Sequence, residues 1–297
     1  WPHEQISFKD QKVGIIGTGS SGIQAIPVIA AEADHLTVFQ RTPNFSVPAR
    51  NAPLDQQWVK RYKENYKDHR HSFRHGLSSG FGDLEIKAKL EPRVPVEFSK
   101  LTEDEAHDLL ELNWQRGGAV FMAAIGDLML NETSNAFARK FVHDKIHETV
   151  DDPKVAKLLC PTNHPIGTRR ICVDIDYYET FNRENVSLVS VREHPIERIT
   201  PTGVQVNGEI TELDTLVIAT GFDAMTGALL NIDIRGRQGR PLSDKWQAGP
   251  RVYLGLSMAD YPNLFTITGP GSPSVLSNML VSIEQHVDWI TDCIEHM

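Results

Sequence analysis

The chain has 297 residues, enough for roughly two domains and a sizeable buried core. Its 30 lysines and arginines against 39 aspartates and glutamates give a net charge of −9, which argues against nucleic acid or a membrane surface as the main partner, since both need clustered cations. At 40% hydrophobic and 23% charged, with three cysteines in no zinc-like spacing and no apolar run long enough to span a membrane, it reads as a globular protein with reduced thiols in the cytoplasm.

In chain order, Lys12-Val13-Gly14-Ile15-Ile16 is an apolar run suited to a strand buried on both faces of a parallel sheet. Residues 22–32, rich in Ile, Val and Ala, predict a helix on that sheet, with a kink or break at Pro27. Residues 36–39 are the next strand. From about 54 to 159 charged residues dominate, and Leu109, Leu112, Phe121, Met122 and Ile125 suggest a helical insertion. Strand signals return at 186–191 and in a hairpin around Asn207-Gly208, a type I′ turn pair. They recur at 216–218 and 264–268. Apolar residues at Leu276, Leu280, Ile283, Val287, Ile290 and Ile294 then mark a final helix with one buried face.

Gly17-Thr18-Gly19-Ser20-Ser21-Gly22 is G-x-G-x-x-G lying between a strand and a helix. Gly17 permits the tight turn, Gly19 lets a pyrophosphate approach the backbone, and Gly22 lets helix and strand pack closely. The helix N-terminus offers free N–H groups to the phosphates. In an NAD site the second strand ends on an acid that holds the ribose 2′-hydroxyl. Here that stretch is Phe39-Gln40-Arg41-Thr42, which has no acid and an arginine able to hold a 2′-phosphate. The predicted dinucleotide is NADP.

Other signals carry less. His69, His71 and His75 are interleaved with arginines and read as a solvated segment, leaving no metal site. Asp174 and Asp176 lack a third ligand and read as ordinary polar residues near a turn. The chain has no Tyr-x-x-x-Lys pair and no C-x-x-C, which removes short-chain dehydrogenase and disulfide reductase chemistry. Two features remain: adjacent cations in Thr168-Arg169-Arg170, and Gly269-Pro270-Gly271 before the last helix.

The chain resembles the Baeyer–Villiger monooxygenases. The resembling stretches are Ile16-Gly17-Thr18-Gly19-Ser20-Ser21-Gly22-Ile23-Gln24, Val38-Phe39-Gln40-Arg41-Thr42-Pro43, Asp176-Tyr177-Tyr178-Glu179 with Phe181-Asn182-Arg183, Ala219-Thr220-Gly221-Phe222-Asp223, and Gly269-Pro270-Gly271-Ser272-Pro273 running on to Ser277-Asn278-Met279. They follow the family's order over nearly the whole chain. The resemblance implies an α/β fold: a Rossmann-like NADP-binding domain over 11–50 and 161–218, a helical insertion over 51–160, and part of the FAD-binding domain of a two-dinucleotide flavoprotein over 219–297, with 1–10 as linker.

It also implies that Thr18, Gly19, Ser20, Ser21, Gly22, Ile23 and Gln24 hold the NADP pyrophosphate and that Arg41 and Thr42 hold its 2′-phosphate. Arg169 stands where the family usually has a lysine on that phosphate. Arg170 matches the catalytic arginine, and Met279 a residue touching flavin and substrate. The implied reaction is NADPH- and O2-dependent conversion of ketones to esters or lactones through a peroxyflavin on FAD. Trp1-Pro2 matches the last two positions of the family's F-x-G-x-x-x-H-x-x-x-W-[P/D] fingerprint, so the expectation is an internal fragment, inactive by itself. The rivals are an N- or S-oxidising flavin monooxygenase and a non-catalytic NADP-binding module. Nothing in the sequence sets an oligomeric state.

Overall fold

The computed structural model describes residues 3–4, 6–75, 96–272 and 278–297. Trp1-Pro2, Pro273, Leu276 and Ser277, singled out above, lie outside the described residues. The chain forms two compact units, one of residues 1–52 and 93–221, the other of 53–92 and 222–297. The strands in chain order are β1 (Lys12–Ile16), β2 (His35–Gln40), β3 (Ser46–Pro48), β4 (Cys172–Asp174), β5 (Val186–Ser190), β6 (Ile196–Thr200), β7 (Gly203–Val206), β8 (Glu209–Glu212) and β9 (Thr215–Ile218). The longer helices are α1 (Ser20–Glu32), α2 (Gln56–Glu64), α3 (Tyr66–His75), α4 (Glu103–Arg116), α5 (Glu132–Thr149), α6 (Pro153–Leu159) and α7 (Met279–His296).

The first unit is built on a parallel sheet of order β5-β2-β1-β9. Val13 and Ile15 of β1 and Leu36 and Val38 of β2 are fully buried, as expected where both faces of a parallel sheet are covered. Helix α1 lays Ile23, Ile26, Ile29 and Ala30 onto this core. It runs through Pro27 without a break. Proline removes one helical donor, but buried residues on both sides of it hold the helix against the sheet. A two-stranded parallel pair, β3-β4, and an antiparallel meander, β6-β7-β8, complete the strands described. The β7–β8 hairpin turns on Asn207 (φ 51°) and Gly208 (φ 78°), as its sequence requires.

The segment read as one helical insertion divides between the units. Leu110, Phe121, Ile125, Leu128, Val142 and Ile146 are buried in the same core as Val13 and Ile15, so α4, α5 and the turns beside them are part of the first unit. Thr102 and Glu105 form a reciprocal cap on α4, and Asn131 caps α5. Helices α2 and α3 belong to the second unit.

In the second unit the strand expected at 264–268 does not form. Thr266 there ties the chain to residues 255–256: its N–H donates to Leu256 O at 2.8 Å and its Oγ1 to Gly255 O at 2.7 Å. Thr268 then turns at φ 53°, which ends extended structure. Helix α7 forms, but its apolar stripe is not the buried face expected. Leu280, Val287 and Ile294 are 70%, 42% and 56% exposed, while Ser282 and His286 are buried. His286 faces inward because its Nδ1 accepts the Thr268 N–H at 3.0 Å. In α3, Arg70 pairs with Glu284 at 2.6 Å and Arg74 with Asp288. No helix among them is long and apolar enough to cross a membrane.

Candidate functional site

The site begins at the turn that follows β1. Gly17 sits at φ +109°, and a Cβ there would run into the Ala219 carbonyl. Its N–H donates to Phe39 O at 3.1 Å, and the Ala219 N–H donates to Ile16 O at 2.9 Å, so the turn is pinned between β2 and β9. A Cβ on Gly22 would meet the Gly17 carbonyl, which is how closely α1 approaches the turn. Gly19, the N-cap of α1, is different: a Cβ there would meet nothing within 4 Å. No side chain caps α1 and no acid lies in its first turn, so its N-terminal N–H groups face open space with their partial positive charge unopposed.

A cleft of about 540 Å³ opens over this turn. Gly17, Thr18, Gly19, Ser20 and Ser21 line one side, and Arg41, Thr42 and Asn44, from the segment after β2, line another. Arg169 reaches it from the loop before β4. Val191, Pro195 and Ile196 form an apolar wall, and Ala219, Thr220 and Gly221 close the end beyond β9. Among the described residues no acid lines the cleft. Among the described residues Arg41, Arg169 and Arg170 form no ion pair, so cationic charge here is uncompensated. An anionic dinucleotide suits such a surface: phosphate for the turn and arginines, and a planar base for the apolar wall.

The residues singled out by sequence differ in placement. Thr18 is 5% exposed and its Oγ1 donates to Thr42 O at 3.1 Å, so its side chain braces the turn against the end of β2. Gly22, Ile23 and Gln24 do not line the cleft. Ile23 is fully buried and its N–H is committed to Gly19 O at 2.9 Å. Arg170 is exposed and lies beside Arg169 without lining the cleft. Met279 is the first residue of α7, in the other unit.

Sequence reasoning missed Asn44 and the Val191, Pro195 and Ile196 wall. Asn44 lies three residues after Arg41 and was within reach of a closer reading; the wall residues carry no local motif. Around the cleft, burial and then the Arg169 cation hold His164 below the usual histidine range. Asp174 is also no ordinary turn residue. It is buried, accepts hydrogen bonds from Ser46 Oγ and the Tyr177 N–H, and burial raises its carboxyl above the usual aspartate range.

No protein-family model matches the chain. Cyclohexanone 1,2-monooxygenase from Acinetobacter sp is 40% identical over 299 residues, covering 100% of this chain and 52% of that protein. A Baeyer–Villiger monooxygenase from Pseudooceanicola batsensis is 38% identical over 297 residues, 99% of this chain and 52% of that protein. Along its whole length the chain is similar to Baeyer–Villiger monooxygenases. A phenazine N-monooxygenase from Lysobacter antibioticus is also 38% identical, over 99% of this chain and 52% of its own length. The crystal structure of OTEMO in complex with FAD and NADP superposes with a TM-score of 0.92 and 36% identity, covering 100% of this chain and 56% of that one. The chain therefore spans about half the length of the curated relatives it matches.

Proposed function

We infer that this chain is the NADP-binding portion of an NADPH- and O2-dependent flavin monooxygenase that converts ketones to esters or lactones. The observation that carries the reading is the cleft over the glycine turn, lined by Arg41 and Arg169 and, among the described residues, by no acid. The open space at Gly19 fits a pyrophosphate, and Arg41 with Thr42 fits a ribose 2′-phosphate. Likeness to cyclohexanone 1,2-monooxygenase supports a ketone substrate, and likeness to a structure holding FAD and NADP supports both cofactors.

FAD, when bound, supplies the redox chemistry and the activation of oxygen. In this chain the resemblance points Met279 toward it. Ser272 Oγ, buried with no partner among the described residues, is a polar group that such a ligand would satisfy. Arg170 contributes a fixed cation where negative charge develops on oxygen during the reaction. The three free thiols fit a reducing cytoplasm.

The phenazine N-monooxygenase likeness favours one second reading, oxygen transfer to nitrogen. Assays of the intact protein with NADPH, FAD and oxygen, using cyclic ketones and aromatic amines side by side, separate the two. Lactone from the ketone is the expected product. N-oxide alone would replace this reading with the second, and NADPH binding without oxygenation of either substrate would overturn both.

A further inference from the structure

We propose that Asn135, on the helix before the arginine loop, is a positioning residue for Arg169 and Arg170. This rests on the reading of the cleft as an NADP site. Asn135 lies in the first turn of α5, and its carboxamide reaches the backbone of Ile166 at both polar atoms. Its Oδ1 accepts the Ile166 N–H at 3.2 Å, and its Nδ2 donates to Ile166 O at 2.8 Å and to Leu128 O at 3.1 Å. A carboxamide has two N–H donors and a carbonyl acceptor, and here each has a partner. Aspartate would lose both donors, alanine all three bonds, and glutamine would be one methylene too long.

The grip falls just before the arginines. Ile166 is fully buried, so the loop is anchored in the core at that point. Gly167 follows at φ +89°, and a Cβ on it would collide with Met129 and Met122, so the chain passes flush against the helical segment. Thr168 tightens the turn by donating from Oγ1 to Pro165 O at 2.8 Å. Beyond the arginines, the Cys172 N–H donates to Phe45 O at 3.0 Å and starts β4. Arg169 and Arg170 are thus suspended between a side-chain clamp at Ile166 and a strand ladder at Cys172. Exposed arginines have many rotamers, and holding the backbone beneath them restricts where their guanidinium groups can reach.

The test is titration of the intact protein with NADPH and with NADH, for the native sequence, Asn135→Ala, Asn135→Asp, Arg169→Ala and the Asn135→Ala/Arg169→Ala pair, with melting temperatures alongside. Loss of Arg169 should weaken NADPH about tenfold while changing NADH by less than about twofold, as expected for one charge-assisted phosphate contact. Asn135→Ala should weaken NADPH by about fivefold with the same selectivity, and the double variant should lose no more than Arg169→Ala alone, because the two act through one contact. Asn135→Asp, which keeps the acceptor for Ile166, carries the same comparison if the alanine variant does not fold. A purely structural asparagine would lower the melting temperature and leave the NADPH-to-NADH ratio unchanged; that outcome, with Arg169→Ala selective, overturns the proposal alone. An Arg169→Ala variant that keeps the native ratio overturns the phosphate reading of the cleft, and the positioning role with it.

Discussion

The Asn44 carboxamide donates to the Cys172 thiol across 3.1 Å, and the same sulfur lies 3.4 Å from the Ser20 hydroxyl. Asn44 and Ser20 both line the cleft over the glycine turn, one after β2 and the other at the start of α1. The Asn44 Oδ1 accepts the Phe45 N–H at 3.0 Å, which fixes which end of the carboxamide faces the sulfur. Burial pushes the Cys172 thiol up, so it stays protonated and able to pair with both neighbours. Replacing Cys172 by Val keeps an apolar side chain of similar volume but removes these contacts. NADPH affinity should fall about threefold to tenfold, with serine recovering part of the loss. Fluorescence titration measures this, and unchanged affinity in Cys172→Val would show that the sulfur only fills space.

Arg41 should decide between the two nicotinamide dinucleotides. It lines the cleft at the end of β2, where an acid would favour NAD. Arg41→Ala should weaken NADPH by about tenfold to a hundredfold and leave NADH nearly unchanged. Equal weakening of both would mean that Arg41 meets some other part of the ligand.

Arg170 should matter after the dinucleotide has bound. It does not line the cleft, so Arg170→Ala should leave NADPH affinity within about twofold while ketone oxidation by the intact enzyme falls by about 10²–10³, the usual cost of losing one preorganised charge-stabilising group. Arg170→Lys keeps the charge without the planar fork and should recover activity only in part. Product yield measured beside binding separates the two effects. Near-native product formation by Arg170→Ala would remove the role assigned to it.

Asp174 makes stability depend on pH. Its folded pKa is raised from the ordinary 3.8 by burial, so the group favours folding below pH 3.8 and this contribution is lost as pH rises through the raised value. Asp174→Asn cannot ionise, yet still offers an acceptor to the Tyr177 N–H. The stability of the native sequence relative to the variant should therefore decline from about pH 4 into the weakly acidic range and then level off. Urea unfolding across that range tests it, and a pH-independent difference would show that Asp174 ionises in the fold as easily as in the unfolded chain.

The elements legible in the sequence are those whose cause lies within a few adjacent residues. The β1–α1 unit was readable because Gly17 needs a positive φ, Gly22 needs close packing, and Val13 and Ile15 need burial, all within ten residues. The Asn207-Gly208 turn was readable for the same reason, and so was the missing acid beside Arg41. What escaped depends on partners far along the chain. The Val191, Pro195 and Ile196 wall meets the glycine turn only because parallel pairing of β1, β2, β5 and β9 brings its loop to the same end of the sheet. The final helix shows the limit from the other side. Its apolar period is real, but period alone says which residues share a face, whereas whether Leu280, Val287 and Ile294 are covered depends on what packs there. The clamp of Asn135 on Ile166 joins residues 31 positions apart, and no local pattern encodes it: a carboxamide and a peptide recognise each other only once folding has set them face to face.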